Sequence, residues 1–140
     1  MNLTLRNILA TLAGLSAASI TVVIFEAING RIFPLPAGLD LTDAAGMRAA
    51  RASLPLAALV IVAAGWALGA FAGGAVSTLI VRARRSHRAL VFGVLFLGVT
   101  AMNLASLPHP VWMWIVGLLL PVPMSLLGAR VVRGGENASG

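Results

Sequence analysis

The stretch LPLAALVIVAAGWALGAFAGGAVSTLIV, residues 54–81, runs for 28 residues without a charged side chain. A bilayer's hydrocarbon core, roughly 30 Å thick, is crossed by about 20 apolar residues in helical form. With no water there to satisfy backbone polar groups, such a segment must make its own hydrogen bonds, as a helix does. The stretch therefore reads as a membrane span. Three further runs of the same character, 7–28, 89–107 and 111–129, surround it. Across its 140 residues the chain is 59% hydrophobic and 10% charged, too little polar surface for a soluble domain. The expected fold is all-α: a four-transmembrane-helix bundle forming one integral membrane domain over 1–140, with an outer loop at 29–53 and a disordered tail at 131–140.

The first run could be confused with a secretory signal, since Arg6 precedes it and Ser16, Ala17 and Ala18 resemble a cleavage site. Its apolar stretch continues to Ile28, well beyond the ~7–15 residues of a signal core, and it reads as a retained span. Cysteine is absent, which removes disulfides, thiolate ligands and cysteine nucleophiles from consideration.

Arginine supplies every one of the ten basic residues and sets the expected orientation, because positive charge is retained on the cytoplasmic side. With the N-terminus inside, Arg6, Arg82, Arg84, Arg85, Arg88, Arg130 and Arg133 are cytoplasmic, against Arg31, Arg48 and Arg51 outside, seven to three. Both termini are thus expected in the cytoplasm of a bacterial inner membrane. The net charge of +6 does not point to nucleic acid, since no aromatic residue interleaves with the cluster RARRSHR to stack on bases. The lipid bilayer, with its anionic headgroups, is the expected partner.

Proline marks the corners. NGRIFPLP (29–36) and NLASLPHP (103–110) both read Asn, then an apolar Phe or Leu before Pro-x-Pro, and SLP recurs at 53–55 and 106–108. Proline cannot donate a backbone hydrogen bond and pushes the preceding residue out of the helical region, so each pattern stops a helix. The echoes suggest two helical hairpins related as a parallel repeat. His109, between Pro108 and Pro110 with Trp112 and Trp114 close by, reads first as an interfacial histidine and second as a ligand or reagent.

Between the first two spans, Thr42 or Asp43 can cap a short interfacial helix ending near Ala52, with Leu41, Ala45 and Arg48 at near-helical spacing and Gly46 weakening it. In the second span Gly65, Gly69, Gly73 and Ser77 recur every four residues, a glycine zipper that permits close backbone approach. Its partner is either the first span, through Ala10, Gly14 and Ala18, or a second copy of the chain; sequence adjacency favours the first. In the fourth span Pro121 and Pro123 free the carbonyls of Gly117 and Leu119, so a kink is expected there.

Glu26 is the one acidic residue within a span. At 1.5 Å per residue it lies about 30 Å from Arg6, near the outer interface rather than the midplane. Asn29 follows one turn on, and Asn103 and His109 reach the same height from the third span and its corner. With Asp40 these residues form the candidate polar pocket; Asp40 and Asp43 also have local capping roles open to them. No phosphate loop, paired helical histidines or nucleophile elbow is visible, so no catalytic residue, metal site or cofactor is expected.

The patterns E-x-x-N-x-x-x-F-P-x-P-x-G-x-D, G-W-x-x-G-x-x-x-G-G and N-x-x-x-x-P-H-P-x-W together resemble an uncharacterised family of small bacterial four-span integral membrane proteins, over about residues 6–130. The resemblance implies the four-helix topology and no activity. Small multidrug exporters and fluoride channels have comparable length, but here the first span's acid lies near its end and no ion-pathway motif is present. Two functions remain open: a non-enzymatic accessory or scaffold subunit, in a homo-oligomer or a larger membrane complex, and a small-molecule or ion transporter or binding protein using the pocket around Glu26. Enzymatic activity is the least supported.

Overall fold

A computed structural model describes residues 2–40, 42–81 and 85–138. Leu41, Arg82, Arg84 and Ser139, which figured in the reading of the loop, the basic cluster and the tail, lie outside the described residues. Helix α1 spans Leu3–Ile32, α2 Ala44–Ala52, α3 Leu56–Ile80, α4 Arg85–Ser106, α5 Val111–Leu119 and α6 Pro121–Ala138. All regular structure among the described residues is helical, and four helical stretches are long and apolar enough to cross a membrane: α1, α3, α4 and the continuous α5–α6. The chain is a multi-pass helical bundle.

Helix α1, at 30 residues, is about 45 Å long and overshoots the hydrocarbon core, beginning and ending beyond the expected 7–28. The Asn2 side chain caps it by accepting from the Leu5 amide at 2.8 Å. It stops at Phe33, just before Pro34-Leu35-Pro36. Pro55 and Pro110 stand as N-caps of α3 and α5, one position before the first turn. The fourth span is divided at Leu120 into α5 and α6, where Pro121 cannot donate to Gly117. The ladder closes around the division, Leu120 donating to Val116 and Met124 to Leu120 at 3.0 Å each. Helix α6 then continues to Ala138 through the segment expected to be disordered: no proline follows Pro123, and the ladder carries through Gly134 and Gly135 despite their cost of about 1 kcal/mol each.

Helix α3 occupies the centre and packs against α1, α4, α5 and α6, whereas α1 leans almost wholly on α3. The α1–α3 seam is built from small residues. A side chain added at Gly73 would meet the Gly14 carbonyl at 2.8 Å, one at Gly69 the Ala18 carbonyl at 3.2 Å, and one at Gly65 the Phe25 Cβ at 2.8 Å. Phe92 and Phe96 of α4, stacked with centroids 6.0 Å apart, fill the space beside this seam with Ala18 and Ala70.

A second seam joins α3 and α4 to α6. Gly74 faces Ser125, Gly128 faces the Phe71 carbonyl, and Gly93 lies against Val122, each too close for a side chain without displacement. The buried Ser125 hydroxyl donates to the Ala89 carbonyl at 2.6 Å, tying α6 to α4. Hydrogen bonds between membrane helices contribute on average about 0.6 kcal/mol, so close packing of these small residues is the larger effect. At the end carrying both termini, Arg6 Nε donates to the Ile80 carbonyl and Arg88 to the Asn7 carbonyl, both at 2.8 Å. The first of these satisfies an orphan acceptor at a helix C-terminus, where a cation is favoured.

Candidate functional site

The opposite end of the bundle is roofed by α2. The roof is assembled locally: Asp43 accepts from the Gly46 amide at 2.6 Å as N-cap, and Asp40 accepts from the Thr42 amide at 2.9 Å and its hydroxyl at 2.6 Å. Those two bonds hold the exposed Asp40 carboxyl below its ordinary range. Gly38 turns the chain with φ +86°, a conformation that favours glycine. Gly46 is required for a different reason, since a β-carbon there would overlap the Asp40 backbone carbonyl. The glycine that weakens α2 as a helix is the one that lets the loop fold against it.

No backbone of α2 approaches a spanning helix closely; side chains make the junction. Arg51, in its last turn, places Nη1 2.7 Å from His109 Nε2, and His109 Nδ1 lies 2.8 Å from the Leu107 carbonyl. Because a guanidinium can only donate, Nε2 must accept, and the ring proton sits on Nδ1, where it reaches Leu107. The histidine is therefore held neutral. Its pKa is lowered, first by burial; the Leu107 carbonyl opposes this and Arg51 reinforces it. The buried Trp66 indole meets the imidazole in an edge contact, centroids 5.7 Å apart. Burial likewise lowers the Arg51 pKa, and the charge of Glu26 opposes that shift.

On the other side of Arg51 a cavity of about 260 Å³ opens between the end of α1, α2 and the start of α3. Glu26, Asn29 and Arg51 are its polar lining, and Phe33, Met47 and Leu54 supply apolar wall. Glu26 stands exposed at the surface of α1, whereas Asn29 is 8% exposed and its Oδ1 has no hydrogen-bond partner among the described residues. An acceptor left in that state typically costs about 1–3 kcal/mol.

Of the candidate pocket residues, the structure thus brings Glu26 and Asn29 into one cavity. His109 adjoins a separate cavity of about 370 Å³ that shares Arg51 with the first. Asp40 is engaged in its own turn, and Asn103 is exposed on α4 outside both cavities. Arg51, which connects the two cavities, entered the sequence analysis only as an outer positive charge. Its signal was the pairing of Met47 and Ala50 on one face of α2 with Arg51 beside them. Among the described residues no three His, Asp or Glu side chains converge as a metal site would require.

No protein-family model matches the chain, and no curated protein or solved structure matches it either. Fold and site define a class: a multi-pass helical membrane protein with a charged and partly apolar cavity beneath a short helix at one end.

Proposed function

We propose that this is a non-enzymatic inner-membrane protein that binds a small molecule or ion in the cavity beneath α2, with that end facing outward and both termini in the cytoplasm. The observation that carries the reading is Asn29: a buried side chain with an unpartnered acceptor, in the wall of a cavity that also holds a carboxylate and a guanidinium. Pockets that bind small ligands have this composition, apolar walls with a few convergent polar groups. The arginine distribution supports the orientation. The resemblance of its sequence motifs to small bacterial four-span proteins is in keeping with this class and brings no activity with it. Thermal unfolding of the purified chain in mild detergent, screened against soluble metabolites, ions and lipids, tests the reading. A saturable stabilisation of the native chain that is lost or altered in Glu26→Gln is expected. A second reading, an accessory or scaffold subunit, is favoured by α1, which rests almost wholly on α3 and leaves Leu12, Ile20, Ile24 and Ile28 exposed. A stoichiometric partner that copurifies with the native chain and is lost on Ile20→Arg would support it.

A further inference from the structure

Resting on the reading of the α2 cavity as a binding site, the geometry points to an occupant of defined chemistry: the headgroup of a zwitterionic phospholipid with a primary ammonium, a phosphatidylethanolamine of the leaflet facing α2. Three features of the cavity converge on it. The first is the pairing of acceptors. Glu26 and Asn29 line the same cavity, and the buried Asn29 Oδ1 lacks a donor. A primary ammonium has three N–H donors to give to Glu26, and to the Asn29 amide oxygen once that buried side chain turns it toward the cavity, whereas a quaternary ammonium has none. The second is the opposite charge beside them. Arg51 gives Nη1 to His109, which leaves other guanidinium N–H groups for a phosphate, the anion whose geometry a guanidinium fits. One carboxylate and one guanidinium match a ligand that carries one positive and one negative group and is neutral overall.

The third feature is the mouth. Leu35 lines the cavity and is itself exposed, and Ile28 and Ile32 lie exposed on α1 beside Glu26 and Asn29. In the bilayer these residues stand at the boundary between headgroups and acyl chains, so a molecule with its head in the cavity can leave its chains along the apolar flank of α1. The cavity, of about 260 Å³, is at the small end for ligand pockets, in keeping with a headgroup rather than a whole lipid. Free phosphoethanolamine shares the head chemistry without the chains, and the experiment separates the two sources.

The test uses the full chain in mild detergent, its unfolding followed by tryptophan fluorescence, titrated with short-chain phosphatidylethanolamine, phosphatidylcholine, phosphatidylglycerol and phosphoethanolamine. The ethanolamine lipid is expected to raise the unfolding midpoint saturably, with an apparent affinity about tenfold or more above each of the other three. Glu26 is exposed, so Glu26→Gln should fold as the native chain does and erase the preference for ethanolamine over choline. Arg51→Gln should weaken both of these lipids. Equal stabilisation by the ethanolamine and choline lipids in the native chain would overturn the ammonium assignment. Equal stabilisation by phosphatidylglycerol would reduce the effect to general lipid contact. Equal affinity for phosphoethanolamine would replace the lipid by a soluble zwitterion. If all four fail while another compound stabilises the native chain but not Glu26→Gln, the headgroup assignment falls and the binding site stands; if no compound does so, both fall.

Discussion

His109 shows how one side chain can report on a whole end of the molecule. Its neutral ring accepts from Arg51 and donates to Leu107, so protonation would remove the acceptor and set two cations face to face. Its folded-state pKa is lowered from the ordinary 6.5, which means the unfolded chain binds the proton more readily. Stability from this site is therefore complete above the ordinary value and declines as pH falls through the lower, folded one. Unfolding midpoints measured as pH drops below 6.5 should fall for the native chain. They should fall less for His109→Gln, which keeps an acceptor but cannot titrate there. Gly46→Ala is expected to destabilise the roof by about 1–3 kcal/mol, the usual range for forced overpacking, because its β-carbon would overlap Asp40. Increased proteolysis within residues 34–52, measured on the folded protein, would register that change.

Helix α3 presents glycine on two sides, and the two were not equally legible. Gly65, Gly69 and Gly73 announce their face by the four-residue spacing, which the helical period places in one row. Gly74 belongs to the other seam and is hidden by its neighbour Gly73; the other small residues of that seam, Ser125, Gly128 and Gly93, lie on two other helices, so no single-helix spacing unites them. Gly69→Leu and Gly74→Val should each lower the unfolding midpoint, since the first meets the Ala18 carbonyl and the second the Ser125 backbone. Gly98 of α4 has open space around its missing β-carbon, and Gly98→Ala should be neutral or stabilise by up to about 1 kcal/mol through helix propensity alone. Comparison of the three variants separates the loss of close approach from the mere loss of glycine. The division of the last span was legible for a simpler reason, as Pro121 cannot complete the hydrogen-bond ladder wherever the helix is placed.

At the scale of the molecule, hydropathy revealed four crossings because each run is long and nearly free of charge. The site was only half legible. Counting residues along a helix gives the height of a side chain, and by height Glu26, Asn29, Asn103 and His109 share a level. It does not give the side of the bundle on which each one stands: Asn103 is exposed on α4, His109 borders a different cavity, and Arg51 arrives from a connecting helix whose position no spacing specifies. Orientation can be measured directly, as no native cysteine interferes. In intact spheroplasts Ala44→Cys should react with an impermeant thiol reagent and Ser139→Cys should resist it; the reverse pattern would turn the α2 cavity toward the cytoplasm. The dependence of α1 chiefly on α3 also bears on how the protein is made. Everything α1 needs for its main seam has been synthesised once Ile80 leaves the ribosome, so the first hairpin can close in the membrane while the rest of the chain is still being translated. Helices α4 and α6 can then pack onto a hairpin already in place, with Gly74 on its free side.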